Sequence, residues 1–466
     1  MMRYRSVLVT LLLAAPLGAQ TVDTAAVNRL FARYANDSAP GCAIGIGRGG
    51  DLLYSHAYGM ADLERNVPLT PTSVIEAGSV SKQVTAAAVL LLAARGFLTL
   101  DDNILRFFPE LHDYGTPITV RHLMQHSSGL RDWGAVAEIE GWPRGTRTAT
   151  QSDVLAILAR QRHLNHPPGA KFSYTNSGYN LLVMLVERIT GQSFPAFTAR
   201  EFFVPLGMSH TQWRDDYARV VRDPAQAYSR RSGSWVLDMP FENAYGNGGL
   251  LTTVGDLLTW TNAIAEQRIG TPDVSVVMQT PGKFNDGTAS VYGGGLSMVT
   301  FRGVQEVSHS GATAGYRTFL ARYPASGFAV AVLCNAGDAN AVTLAHEAIA
   351  PLAGFVTPGV SVGTNSFENA SITVWRPTKR ALQAFTGVWT SPEAAARWEI
   401  TLRSDTLRVM RRPGDEFPLR PTTTDRFTGD GATLRFVRNA RGSITQLLVT
   451  IPRVIDMAFA RERRGG

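Results

Sequence analysis

Cysteine occurs only twice in the 466 residues, at Cys42 and Cys334, so the chain is neither a disulfide-stapled scaffold nor a cysteine-rich metal protein. Lysine is nearly as scarce. Only Lys82, Lys171, Lys283 and Lys379 stand among the 45 basic residues, the rest being arginine. Those arginines are scattered, and the net charge is only +7, which gives no basic stripe for a nucleic-acid partner. No uncharged apolar run reaches 18 residues, so a membrane-spanning helix is not expected. No histidine pair stands at metal-ligand spacing beside the candidate site, and no metal or cofactor is implied. What remains is a chain with 44% hydrophobic residues, long enough for two or three domains that each bury a core.

The first 19 residues read as a secretory signal peptide. Arg3 and Arg5 precede a short apolar stretch from Val7 to Leu13, and Gly18 and Ala19 offer a small-residue cleavage site. The mature protein is therefore expected in the periplasm or outside the cell, with a net charge of +5. Export would permit a bond between the two cysteines. Both lie in apolar, strand-like runs, and two buried thiols are expected.

Apolar spacing predicts a helix over 24–36, strands over 41–47 and 52–58, a buried helix over 81–94, and helices over 177–190 and 254–266. Strands are expected at 292–301, 304–310, 316–323 and 328–334, followed by a helix over 338–350. Early and late strands around a helical middle describe an α+β domain over residues 20–353 in which both strand sets share one sheet. Residues 354–379, rich in Gly, Thr, Ser and Val, read as a linker. Short alternating runs over 380–466 predict a small all-β barrel that folds as a separate unit and supplies no catalytic residue.

Three short patterns carry chemistry. Ser79-x-x-Lys82 opens the buried helix, and residues three apart share a helix face, so the Lys82 amine can reach the Ser79 hydroxyl. The alternative is a capping serine and an exposed lysine, which fits poorly in an apolar helix. Arginine cannot be deprotonated in a protein and lysine can, so a lysine in a chain that otherwise uses arginine suggests a base. Tyr174-x-Asn176 lies at the entry to the next helix, where a phenol can relay a proton and an amide can hold a carbonyl. Packing of Tyr174 against the helix entrance is the bland alternative. His309-Ser310-Gly311-Ala312 ends a strand, and small residues after His309 let a substrate backbone approach the strand edge. A structural histidine is the competing reading.

In this order the three patterns resemble the motifs of the serine beta-lactamase and penicillin-binding protein superfamily, and in particular class C beta-lactamases, family VIII esterases and D-aminopeptidases. His126-Ser127-Ser128-Gly129-Leu130 and Gly246-Asn247-Gly248-Gly249-Leu250 strengthen the resemblance, which covers roughly residues 24–353. It implies a beta-lactamase-like antiparallel sheet with a helical region, Ser79 as nucleophile, and Lys82 and Tyr174 sharing acid and base work. Asn176, His309, Gly311 and Ala312 would bind substrate, with the Ser79 and Ala312 amides as the oxyanion hole. The barrel resembles the lipocalin-like domain fused to some of these enzymes. An ester or a small peptide or amide, D-residue peptides included, is the implied substrate. A beta-lactamase or DD-carboxypeptidase remains open as an alternative, as does a catalytically silent binding protein. Members that hydrolyse beta-lactams usually carry lysine where this chain has His309, so a weak hold on anionic lactams is expected, unless Arg317 restores the charge.

Overall fold

The computed structural model describes residues 21–355 and 375–462. The expected signal peptide and most of the expected linker lie outside them. Six antiparallel strands form the main sheet: β1 (Cys42–Arg48), β2 (Asp51–Tyr58), β3 (Ser297–Phe301), β4 (Val304–Thr313), β5 (Tyr316–Tyr323) and β6 (Phe328–Cys334). Their order is β3-β4-β5-β6-β1-β2, so the pairing of β1 with β6 joins the two strand sets that the sequence separates by more than 200 residues.

Alternation along the strands sends side chains to two layers. Ile44, Ile46, Val330 and Val332 pack toward α1 (Thr24–Leu30) and a C-terminal helix, Ala341–Ala353. Ala43, Leu320, Ala331 and Leu333 face the helical region, which contains α2 (Lys82–Ala94), α3 (Asn176–Thr190) and α4 (Val254–Ala265). The helix Ala341–Ala353 begins three residues later than the spacing predicts, capped by Asn340, whose side chain accepts from Thr343 N.

Three differences from the sequence reading bear on the site. Cys42 and Cys334 are register partners on β1 and β6 and form a disulfide, where two thiols were expected; strand pairing brings together residues 292 apart. The first late strand is confined to Ser297–Phe301, and β4 runs on to Thr313. Because β3 pairs only as far as Ser308, residues 309–313 form a free strand edge.

Nine further strands between Gly387 and Arg461 make a nearly closed barrel. Its two edge strands, Asp415–Pro418 and Arg420–Pro421, are separated only by Leu419, which brings the ends of the sheet together. The barrel forms its own sheet and packs against the catalytic region: Trp398 donates to the Ile139 carbonyl at 2.8 Å, and residues of both parts belong to one buried cluster. Among the described residues no helix is long and apolar enough to cross a membrane.

Candidate active site

Ser79 sits in a short 3-10 turn, Gly78–Ser81, that feeds α2. Gly78 has φ of +51°, and a Cβ there would lie 2.8 Å from the Ala312 amide nitrogen. That close approach sets the free edge of β4 against the turn that holds Ser79. Gly311 serves the same approach, since a Cβ on it would stand 2.2 Å from the Ala77 carbonyl oxygen.

Lys82 is fully buried on the first turn of α2. Its Nζ lies 3.2 Å from Ser79 Oγ, 3.0 Å from Asn176 Oδ1 and 2.6 Å from the Asn247 carbonyl oxygen. Burial, helped by the nearby Arg144 charge, holds the amine well below its ordinary pKa. A neutral amine has two N–H bonds and one lone pair. Two of its neighbours can only accept, which leaves the lone pair for the Ser79 hydroxyl.

Supporting structure fixes these partners. The short strands Ile75–Glu76 and Leu250–Thr252 pair, while Glu76 accepts from Gly249 N at 3.0 Å and from Arg214 Nε at 2.7 Å. That buried ion pair ties the 246–250 turn beside α2 and aims the Asn247 carbonyl at Lys82. Thr175 caps α3 by accepting from Ser177 N, and Asp132 accepts from Asn176 N at 2.7 Å. Asn247 was legible only as part of a glycine-rich string; its contribution is a backbone carbonyl, which no residue type announces.

Tyr174 precedes this cap. Its hydroxyl is buried and makes no hydrogen bond of ordinary geometry. Burial pushes the phenol up to about 12, with the Ser79 hydroxyl acting in the opposite direction. The Lys82 ammonium position is 4.9 Å from the Tyr174 ring centre, and the His126 ring packs against the phenol at 4.1 Å between centroids.

His309 corrects one expectation. Its Nδ1 is 2.6 Å from the Ser310 carbonyl, which can only accept, so Nδ1 carries the proton and Nε2 accepts from the Tyr292 hydroxyl at 2.8 Å. Both nitrogens are used internally. The ring lines the cleft without a free N–H for substrate, and burial lowers its pKa to about 4, with the Lys82 charge adding to the effect.

A stability prediction follows. Between about 6.5, the ordinary value for an unfolded imidazole, and about 4, the unfolded chain binds a proton that folded His309 refuses, so stability falls as pH falls through this window. His126, also buried and held below its ordinary value, acts in the same direction. Urea unfolding should show a loss on the order of 2 kcal/mol between pH 7 and pH 4.5. The loss should be smaller in His309→Gln; an equal loss would remove His309 as a cause.

The cleft has a volume of about 570 Å³ and is lined by Ser79, Tyr174, His309, Gly311, Ala312, Arg317 and Arg453, among others. Arg317 therefore does reach it, held by the carbonyls of Ala314 and Tyr316, each at 2.7 Å. Arg453 was missed altogether, because it belongs to the barrel. It occupies the turn between strands Ile444–Ile451 and Val454–Arg461, where its carbonyl accepts from Asp132 N at 3.3 Å and Asn165 Nδ2 at 2.8 Å. Its guanidinium stands 5.1 Å from the Tyr174 ring centre and 3.6 Å from Asp132 Oδ2. Two arginines thus line the cleft, Arg453 beside the Asp132 carboxylate and Arg317 without a carboxylate partner among the described residues. Among the described residues no group of three His, Cys, Asp or Glu side chains is disposed to hold a metal.

A family profile described as Beta-lactamase matches residues 27–353. A D-aminopeptidase of Cereibacter sphaeroides (strain KD131 / KCTC 12085) is 29% identical over 341 residues, which cover 70% of this chain and 64% of that protein. Penicillin-binding protein 4* of Bacillus subtilis (strain 168) is 29% identical over 295 residues, 59% of this chain and 63% of the relative. The chain thus spans somewhat less than two thirds of these relatives. Among solved structures, the octameric penicillin-binding protein homologue from Pyrococcus abyssi shares the fold with a TM-score of 0.64 at 24% identity, over 95% of this chain and 99% of that one. A D-stereospecific amidohydrolase from Streptomyces sp. does so with a TM-score of 0.61 at 22% identity, covering 70% and 98%.

Proposed function

Since the chain belongs to the beta-lactamase family, we propose that it is an exported serine hydrolase that forms an acyl-enzyme at Ser79 and acts on small peptides or amides, D-residue ones included, or on esters. The observation that carries this reading is the buried Lys82 amine, whose other two partners can only accept and whose third neighbour is the Ser79 hydroxyl. Lys82 takes the Ser79 proton as Oγ bonds to the substrate carbonyl carbon. The oxyanion is held by the Ser79 and Ala312 amides. On collapse the bond to the leaving group breaks, the Tyr174 phenol gives that group its proton, and the Lys82 ammonium restores the phenol. Water then enters, and the same groups release the acid. Asn176 holds Lys82 and faces the substrate carbonyl. None of these steps draws on a metal or cofactor.

The names of the D-aminopeptidase relatives support amide and peptide substrates. Arg317 and Arg453 in the cleft favour a substrate with a carboxylate beyond the scissile bond, and they also keep the beta-lactamase alternative in play. The Cys42–Cys334 disulfide supports export, because such bonds persist in oxidising compartments. The nearly closed barrel supports the lipocalin-like reading of residues 380–466.

The test is a panel of D-alanyl dipeptides with a free carboxylate, the same peptides amidated, p-nitrophenyl acetate and nitrocefin, with Ser79→Ala as the blank. Turnover of peptides or esters that disappears in the blank is expected. Turnover that survives in Ser79→Ala overturns the acyl-enzyme, and turnover of nitrocefin alone selects the beta-lactamase reading. In Arg453→Ala, kcat/KM for the free-carboxylate peptide should fall about tenfold, the value of a charge-assisted hydrogen bond, with the amidated peptide within about twofold of wild type. Equal losses for both peptides would remove carboxylate recognition from Arg453.

A further inference from the structure

A second cavity, of about 480 Å³, runs along α4 from Gly255 to Ala265 and shares no lining residue with the cleft at Ser79. It exists because the sheet carries little side chain there: Gly47 of β1 and Ala329 of β6 line it from below. One pleat earlier the helix descends onto the strand, where a Cβ on Gly45 would meet Leu258 at 2.9 Å. Leu52, Leu258, Ala265 and Pro324 supply apolar walls.

Arg322 of β5, the register partner of Ala329, also lines this space. Its guanidinium donates to Gln279 Oε1, its Nε is buried with no acceptor, and among the described residues no carboxylate lies within ion-pair distance. Arg322 is half-buried, whereas the two fully buried arginines among the described residues have acids of their own: Arg131 pairs with Glu393 and Arg214 with Glu76. Partial desolvation of a cation without a counter-charge carries a cost, and burial does lower the Arg322 pKa. An anion seated in the cavity would remove that cost. Arg48 lines the space as well, but its Nε donates to the Ser326 carbonyl and its guanidinium lies over the Phe328 ring, and Asp51 and Glu266 add negative charge at the rim, which together disfavour phosphates and other polyanions.

We propose that this cavity binds a medium-chain monocarboxylate, with its carboxylate on Arg322 and its aliphatic chain against Leu258, Ala265 and Pro324.

The test is calorimetric titration of the purified protein with octanoate, run in the Ser79→Ala variant so that turnover cannot contribute. Saturable binding at one site is expected, weakened at least tenfold in Arg322→Gln and in Ala265→Trp, which plugs the cavity from an exposed position. The Trp variant leaves Arg322 intact, so it decides the matter if Arg322→Gln does not fold. Absence of saturable binding overturns the proposal, as does binding unchanged by the folded variants. Octanol binding as tightly as octanoate would exclude charge recognition, and phosphate binding more tightly would exclude the monocarboxylate.

Discussion

Lys82→Arg should slow acylation of Ser79 by about a thousandfold or more, within the range assigned to loss of a positioned general base. Arginine keeps the positive charge but cannot give up its proton, so nothing accepts the one that leaves Ser79. It is also too long for a pocket in which three oxygen atoms lie within 3.2 Å of the lysine nitrogen. Fluorophosphonate labelling with mapping by mass spectrometry reads this directly: wild type labelled at Ser79, Ser79→Ala unlabelled, Lys82→Arg nearly so. The pH dependence carries the sign. Lys82 is competent only when deprotonated, so the acylation rate should rise with pH through its folded pKa, which burial places well below the ordinary lysine value. A label on another serine, or wild-type labelling in Lys82→Arg, removes both residues from these roles.

The part of the site that lies on helix and strand ends was legible because local spacing determines it. Ser79 and Lys82 meet as residues three apart on a helical turn, and 3.2 Å is the outcome. Tyr174 and Asn176 were found by their place before a helix, and the shared sheet by alternation. Three things escaped. His309 looked like a ligand-facing donor, but its bonding is decided by Tyr292, 17 residues away in a stretch expected to be strand and instead looped back before Ser297. Cys42 and Cys334 looked like separate thiols because pairing depends on register across the whole chain. Arg453 lies in the barrel, from which no site residue was expected, and only the docking of that hairpin against Asp132 and Asn165 brings it to Tyr174. Each miss is a tertiary contact that sequence spacing does not encode.

That docking is itself the second large expected effect. Arg131→Ala should destabilise the protein by about 3–5 kcal/mol, the cost of stranding one partner of a buried ion pair. Arg131 is 2% exposed, with Nη1 2.9 Å from Glu393 Oε2, while Nη2 donates to the Ile455 carbonyl at 3.2 Å. Glu393 is buried too. Burial alone would raise its pKa, but the Arg162 amide, His163 and Arg131 together hold it below the ordinary value, so removing Arg131 takes away part of what keeps the buried carboxylate charged. The carbonyl that loses its donor lies two residues past Arg453, so a loosened hairpin should also carry Arg453 away from Tyr174. Urea unfolding of Arg131→Ala should therefore show the lost stability, and the folded variant should share the selectivity loss of Arg453→Ala. Arg131→Met with Glu393→Leu, which removes both charges, should recover most of the stability but not the selectivity, because the Ile455 carbonyl stays unpaired. By the same reasoning a chain ending near residue 354 should fail to fold, since it uncovers the apolar residues packed against the barrel and takes away both the acid that pairs with Arg131 and the Trp398 donor to the Ile139 carbonyl. A loss under about 1 kcal/mol in Arg131→Ala, or a truncated chain that folds and labels at Ser79, would show that the barrel rests on the catalytic region without holding it together.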